Sequence, residues 1–314
     1  MHLEKYYNKE TKTLLLPWDF NEELKDSPFD IKKIIFNKQE KKIYTEFLKL
    51  VDNLPEGLTH LTLGDGFNQP VDNLPPNLTV LTFGNEFNNP VDNLPPNLTV
   101  ITFGRNFNCP VDNLPPNLTD ITFGFYFNHP VDKLPTNLTV IKFGSQFNFP
   151  VDNLASKLTH LTFGYKFNQS VDNLPNSLIY LKFGEKFNGP VNYLPKNLTT
   201  LIFGSEFNNP VDKLPCNLTN LTFGENFNHP VNNLPTNIKE LGFTTDSFIK
   251  NYIPENISNI FIIFWADDEY NKIVDNFPIS IKQIKLNNKT KIHYLKKIPF
   301  GCKIIDENDN EILM

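Results

Sequence analysis

Apolar and polar positions along this chain repeat every 20 residues. One line reads Val71-Asp-Asn-Leu-Pro-Pro-Asn-Leu-Thr-Val-Leu-Thr-Phe-Gly-Asn-Glu-Phe-Asn-Asn-Pro90, and it recurs ten times without a gap from Val51 onward. Leu81-Thr82-Phe83 alternates apolar and polar, which predicts a short strand with one buried face. Gly84 follows at the corner, where a positive φ would end the strand. Pro75, Pro76 and Pro90 exclude an α-helix from the return segment and favour extended or polyproline-II backbone there. Each unit thus reads as strand, corner and extended return, with Val71, Leu74, Leu78, Leu81, Phe83 and Phe87 pointing inward.

A single unit of this kind is too small to bury its own apolar face, so neighbouring units must stack on it. Repeated columns then report what stacking demands. Phe runs from Phe67 to Phe227 at the same spacing, each time followed by Asn. Asn68, Asn88, Asn108, Asn128, Asn148, Asn168, Asn188, Asn208 and Asn228 are expected to form a buried ladder that satisfies corner backbone groups. The ends depart from the period. Phe20-Asn21 followed by Ser27 to Phe36 reads as a degenerate first coil, and Asn37 to Glu46 as an irregular charged stretch. Ile253 to Ile260, Val274 to Leu286 and Ile298 to Ile304 read as relics of further coils. The expected organisation is an N-terminal cap over 1–46, a repeat solenoid over 47–246, and degenerate repeats with a C-terminal cap over 247–314.

Composition narrows the picture. The chain of 314 residues carries a net charge of −6, which argues against a nucleic-acid partner. No stretch approaches a membrane span and the N-terminus lacks an apolar signal core, so no membrane partner is expected. Three widely spaced cysteines, Cys109, Cys216 and Cys302, suggest free thiols in a cytoplasm-like compartment. In that setting the Asn-Leu-Thr sequons at Asn77, Asn97, Asn117, Asn137, Asn197 and Asn217 belong to the repeat and are not glycan sites.

Little in the chain suggests chemistry. His60 and His160 share a column five units apart, roughly 24 Å at strand spacing, and His129 and His229 are separated likewise. Neither pair can hold one metal. The Asp column from Asp52 to Asp172, resuming at Asp212, lacks a second carboxylate nearby and is read as turn-capping, not as a calcium array. No nucleophile elbow, phosphate loop or metal-binding motif occurs, so no catalytic residue, metal or cofactor is expected. Thr79 and Thr82 lie three apart and cannot share one strand face, which argues against an ice-binding array.

Phe67-Asn68-Gln69-Pro70 and the later Phe-Asn-x-Pro segments, together with Leu-Pro-x-Asn-Leu-Thr-x-Leu-x-Phe-Gly, resemble the FNIP repeat, a leucine-rich-repeat-like family of slime moulds and giant viruses. The resemblance covers about two thirds of the chain, from Phe47 to Phe243. Its copies are shorter than the usual unit in the Val-Asp-Asn-Leu-Pro segment. The resemblance implies a mainly β, helix-poor, right-handed solenoid and a role in protein–protein contacts. Right-handedness also agrees with the rule for parallel crossovers. Some relatives carry an F-box, which would make the chain a substrate receptor of a ubiquitin ligase. Here Leu16-Pro17 is only faintly F-box-like and no three-helix pattern follows.

Variable columns on the fixed frame are where a binding role would lie. The candidate protein-binding residues are Asp120, Phe125, Tyr126, Phe149, His160, Tyr165 and Tyr180, since exposed aromatics on a rigid ridge make good anchors. The corner residue Arg105 also departs from its column. The expectation is a monomeric, non-catalytic scaffold for an unknown protein partner. A ubiquitin-ligase adaptor and a structural repeat without a specific partner remain as alternatives.

Overall fold

The computed structural model describes residues 3–17, 20, 24, 30–36, 51, 54–231, 233–245, 253–264, 266, 267 and 271–312. The expected charged stretch from Asn37 to Glu46 lies outside these residues. The chain divides into two compact units, residues 1–158 and 159–314. Both are helix-poor strand solenoids.

The first unit opens with a 3-10 turn at Glu4–Tyr6 and strands β1 (Tyr7–Asn8), β2 (Thr13–Leu16) and β3 (Lys33–Phe36). The repeats follow as β4 (His60–Thr62), β5 (Val80–Thr82), β6 (Val100–Thr102), β7 (Asp120–Thr122) and β8 (Val140–Lys142). β1 pairs antiparallel with β2 and so covers its outer edge, where an open strand would invite aggregation. Every later pair in this unit is parallel. Thr13 pairs with Lys33, so the 20-residue step already operates ahead of the recognisable repeats, and β2 is a strand that the sequence pattern does not single out. Leu16 is a buried residue of that strand.

The second unit contains β9 (His160–Thr162), β10 (Tyr180–Lys182), β11 (Thr200–Ile202) and β12 (Asn220–Phe223). It continues through β13 (Glu240–Thr244), β14 (Asn259–Ile263), β15 (Gln283–Leu286) and β16 (Lys303–Ile305). All these strands are parallel, and each of the three C-terminal relics supplies one. After β16 the chain turns back: Ile305 forms an antiparallel bridge with Glu311, and the Ile312 N–H donates to the Ile304 carbonyl. A 3-10 helix at Lys289–Tyr294 is capped by the Asn288 side chain, which accepts from the Thr290 N–H.

The repeats bury the six side chains expected of them, except that Leu54 and Leu214 of the Leu74 column are only half-buried. In one coil Val71, Leu74, Leu78, Leu81, Phe83 and Phe87 are all 8% exposed or less. Leu81 sits at the centre of its strand, while Val80 and Thr82 face outward and stay half-buried. The strand lies one residue earlier than the alternation indicates, although Phe83 N–H still donates to the Thr102 carbonyl. The two Phe columns form a double ring stack. Phe83 and Phe87 centroids are 3.8 Å apart within a coil, and the coil-to-coil steps are 5.5 Å (Phe83–Phe103) and 6.0 Å (Phe87–Phe107). The same arrangement runs from Phe163 and Phe167 to Phe223 and Phe227 in the second unit. Stacked rings add about 0.5–1.5 kcal/mol per pair beyond burial.

Two expectations about the backbone change. Among the described glycines only Gly301 has a positive φ, 78°, so the repeat glycine is not there for a left-handed corner. It is there because coils touch: a Cβ on Gly84 would lie 2.0 Å from the Gly64 carbonyl oxygen, and one on Gly124 1.7 Å from that of Gly104. The return is also more bent than extended. Two turns occupy 72–73 and 76–77, and the second is closed by Leu78 N–H to the Pro75 carbonyl at 3.1 Å. Pro76 stands at the first central position of that turn, where its fixed φ is already correct.

Candidate functional site

The variable side chains project from a frame locked by polar ladders. Asn88 N–H donates to Asn68 Oδ1 at 2.9 Å, Asn108 to Asn88 at 2.8 Å, and Asn128 to Asn108 at 2.9 Å. Asn188, Asn208 and Asn228 repeat the link in the second unit. The column is exposed at residue level, not buried as expected, because its Oδ1 atoms reach along the coil edge to the next N–H.

Three further ladders lie outside what the repeat pattern predicts. Thr residues of the 59 column donate their hydroxyls to the carbonyl one coil back, as Thr79 does to Thr59 at 3.0 Å and Thr99 to Thr79 at 3.1 Å in the first unit, and Thr219 to Thr199 in the second. The sequon asparagines do the same from their amides, with Asn97 Nδ2 on the Pro76 carbonyl at 2.9 Å and Asn117 on that of Pro96. The Asp column bridges coils where turn-capping is expected. Asp72, Asp92 and Asp132 accept from the amides of Asn93, Asn113 and Asn153, and Asp112 pairs with Lys133. The signal for all three is the constancy of polar columns, which follows from donors and acceptors meeting one coil apart.

The column after the Phe-Asn pair varies under a chemical constraint. Cys109 Sγ, His129 Nε2, Asn209 Nδ2 and His229 Nε2 each meet the carbonyl of an Asn one coil back, at 2.8–3.6 Å. Phe149 stands in this column without a polar side-chain atom and has no ring partner among the described residues. It is half-buried.

In the first unit, Phe125 and Tyr126 form an edge-on pair with centroids 4.8 Å apart at 76°. Arg105, the only arginine in the chain, lies over both rings, 4.6 Å from the Phe125 centroid and 5.6 Å from that of Tyr126. Among the described residues it has no ion-pair partner. Tyr126 is 45% exposed. Asp120 faces outward on β7 and accepts from its neighbour Thr119 at 2.7 Å. The sequence shows Arg105 only as a variable corner residue; its cation–π contact is what tertiary stacking adds.

In the second unit, His160 and Tyr180 stack across β9 and β10 with centroids 5.7 Å apart. Thr159 Oγ1 meets His160 Nδ1 at 2.9 Å and helps orient the ring. Burial pushes the Tyr180 phenol above its ordinary pKa. Tyr165, 47% exposed, belongs to a different contact: Lys186 Nζ lies 5.6 Å from its ring centroid and pairs with Glu206. That pair, led by the hydrogen bond to Glu206, raises the Lys186 pKa. The candidates of this unit therefore fall into two contacts, a strand-face stack and a corner cluster. Ile179 and Tyr193 are also exposed, the first in the Thr ladder column and the second in the column that elsewhere pairs with Asp.

Among the described residues no group of three His, Cys, Asp or Glu side chains is placed to hold a metal ion. No helix there is long and apolar enough to cross a membrane. Cys109, Cys216 and Cys302 are free thiols. Burial first, then the Asp92 charge, holds the Cys109 thiol above its ordinary pKa, which disfavours a reactive thiolate.

Stacked parallel strands, short coils and a central apolar column define a leucine-rich-repeat-type solenoid. The FNIP Repeat family model matches residues 49–86, 67–93, 87–126, 107–146, 127–166, 148–186 and 207–246, and the chain belongs to the FNIP repeat family. Among solved structures it is similar to CroV588, described as a novel circular LRR protein, at 30% identity and a TM-score of 0.63. The match covers 97% of this chain and 57% of that one, so the chain spans little more than half the length of that structure. YopM from Yersinia enterocolitica matches at 18% identity with a TM-score of 0.44, over 88% of this chain and 63% of that one. No curated protein matches the chain.

Proposed function

We propose that the chain is a non-catalytic scaffold that binds another protein through its variable columns, with Arg105, Phe125 and Tyr126 as the principal anchor. The observation that carries this reading is the guanidinium lying over two aromatic rings on a backbone fixed by inter-coil ladders. Stacking holds the guanidinium plane while its N–H edge stays available to a carboxylate or carbonyl of a partner. Aromatic and Arg side chains that lose little entropy on binding are the usual hot-spot residues. Tyr165 and the His160–Tyr180 stack are secondary anchors. Kinship with the leucine-rich-repeat class, whose members commonly bind proteins, supports the same reading.

The test is affinity capture from the native cell with the intact chain and with a variant carrying Phe125→Ala, Tyr126→Ala, Tyr165→Ala and Tyr180→Ala. The variant should lose the partner that the parent chain retains and keep the parent's unfolding temperature. Retention of that partner by the variant would refute the assignment.

A further inference from the structure

The last two coils carry a feature that the protein-binding columns do not use. Residues 271–303 contain eight lysines and one carboxylate, Asp275, within a chain whose net charge is −6. Two apolar side chains stand almost fully in solvent in the same segment: Ile279 is 97% exposed and Phe300 108%. Both occupy one structural position in successive coils. Each follows a proline in a turn closed by a backbone bond, Ile281 N–H to the Pro278 carbonyl and Cys302 N–H to the Pro299 carbonyl, both at 3.1 Å. In the regular coils that position holds Pro76, Pro96 and Pro116 or a small or polar residue such as Thr136, Ser156 or Lys196, and in the coil before Ile279 it holds Glu255. Ile273, 55% exposed, adds a third apolar group.

The charges around these tips are segregated. Lys297 pairs with Asp275 and Lys285 with Asp309, while Lys272, Lys282, Lys296 and Lys303 are exposed and have no ion-pair partner among the described residues. The acidic residues Asp306, Glu307, Asp309 and Glu311 come after β16, at the opposite end of that strand from Phe300.

We propose that this C-terminal segment is a docking surface for a membrane bearing anionic lipid, with Ile279 and Phe300 entering the headgroup boundary and the free lysines meeting lipid phosphates and carboxylates. Stable peripheral binding needs two signals, an apolar one and a basic one, and this segment combines them. The apolar groups sit at the tips of tight turns. Such tips can enter a soft interface without a matching pocket, which a folded partner would have to supply. The expectation of no membrane contact rests on the lack of a spanning segment and of an apolar signal core, and neither measures a local basic tip.

Cosedimentation of the full chain with vesicles is the test. The chain should pellet with phosphatidylcholine vesicles containing phosphatidylserine and remain in solution with phosphatidylcholine alone. An Ile279→Ser, Phe300→Ser variant should lose about tenfold in partition, and Lys272→Glu with Lys296→Glu should weaken binding to the same vesicles. Both variants should unfold at the parent's temperature, because the altered side chains are exposed and lie outside the core. Failure to bind anionic vesicles, equal binding to neutral ones, or undiminished binding by the Ser variant would overturn the proposal. So would a lipid-independent dimer that the Ser variant abolishes, which would assign the tips to a second copy of the chain.

Discussion

The regular coils of the first unit and the last coils of the second solve the same stacking problem differently. From β4 to β8 every step is 20 residues, and Gly, Phe, Asn and Thr recur in place. From β13 to β16 the steps are 19, 24 and 20 residues, yet Leu241, Ile260, Ile284 and Ile304 remain in register. There the Phe stack gives way to Ile262 and Leu286. Single links replace the ladders, such as Asn287 accepting from Phe264 N–H and donating to the Phe264 carbonyl. The sheet therefore requires only an aliphatic residue at the strand centre. Constant coil length is demanded by the side-chain ladders and by glycine contact, since each of those partners must arrive at the same height one coil later.

The largest effect should come from glycine. Gly124→Ala places a methyl group against the Gly104 carbonyl and should cost about 4 kcal/mol or more, as severe overpacking does. Gly301→Ala meets nothing within 4 Å and should cost about 1 kcal/mol, from its positive φ alone. Urea unfolding of both variants measures the contrast, and equal losses would break it.

Coil length can be tested directly. One glycine inserted after Asn113 lengthens the chain between the Asp92–Asn113 and Asn117–Pro96 links, so both cannot keep their register. It should cost about 2 kcal/mol, at roughly 1 kcal/mol for each bond displaced. The same insertion after Asn276, in a region of unequal coils, should cost about 1 kcal/mol or less. Similar losses at both places would show that the ladders do not set the period.

Asn108→Ala removes the acceptor for Asn128 N–H and should cost about 1 kcal/mol by thermal unfolding. The smallest effect concerns pH. Burial, and secondly the Lys33 charge, hold His60 below its ordinary pKa of 6.5. Between that lowered value and 6.5 the unfolded chain binds more protons than the folded one, so stability falls as pH drops through this window. The His60→Gln variant should lose that slope, read from urea midpoints above and below the ordinary histidine pKa.

Much of the frame is legible in the sequence. The inward set of six residues, the lack of helix in the repeats and the three terminal relics all follow from a periodic apolar pattern, because a buried column must stay apolar in every copy. The Asn column is legible as a ladder, but its exposure is not, since polarity does not say how far a coil edge is open. The candidate anchors are legible only as departures from a constant column. Their grouping is not, because Arg105 and Phe125, or Tyr165 and Lys186, are one coil apart in sequence and meet only through stacking. The basic tip around Phe300 escapes notice because the chain's total charge conceals a local one.

By itself the sequence determined the repeat length, the core side chains and the family, because each is a statement about what recurs. Tertiary structure decided why glycine is required, how the Asp column is used, and which variable residues touch. Those depend on distances between successive coils, and a single line of residues does not contain them.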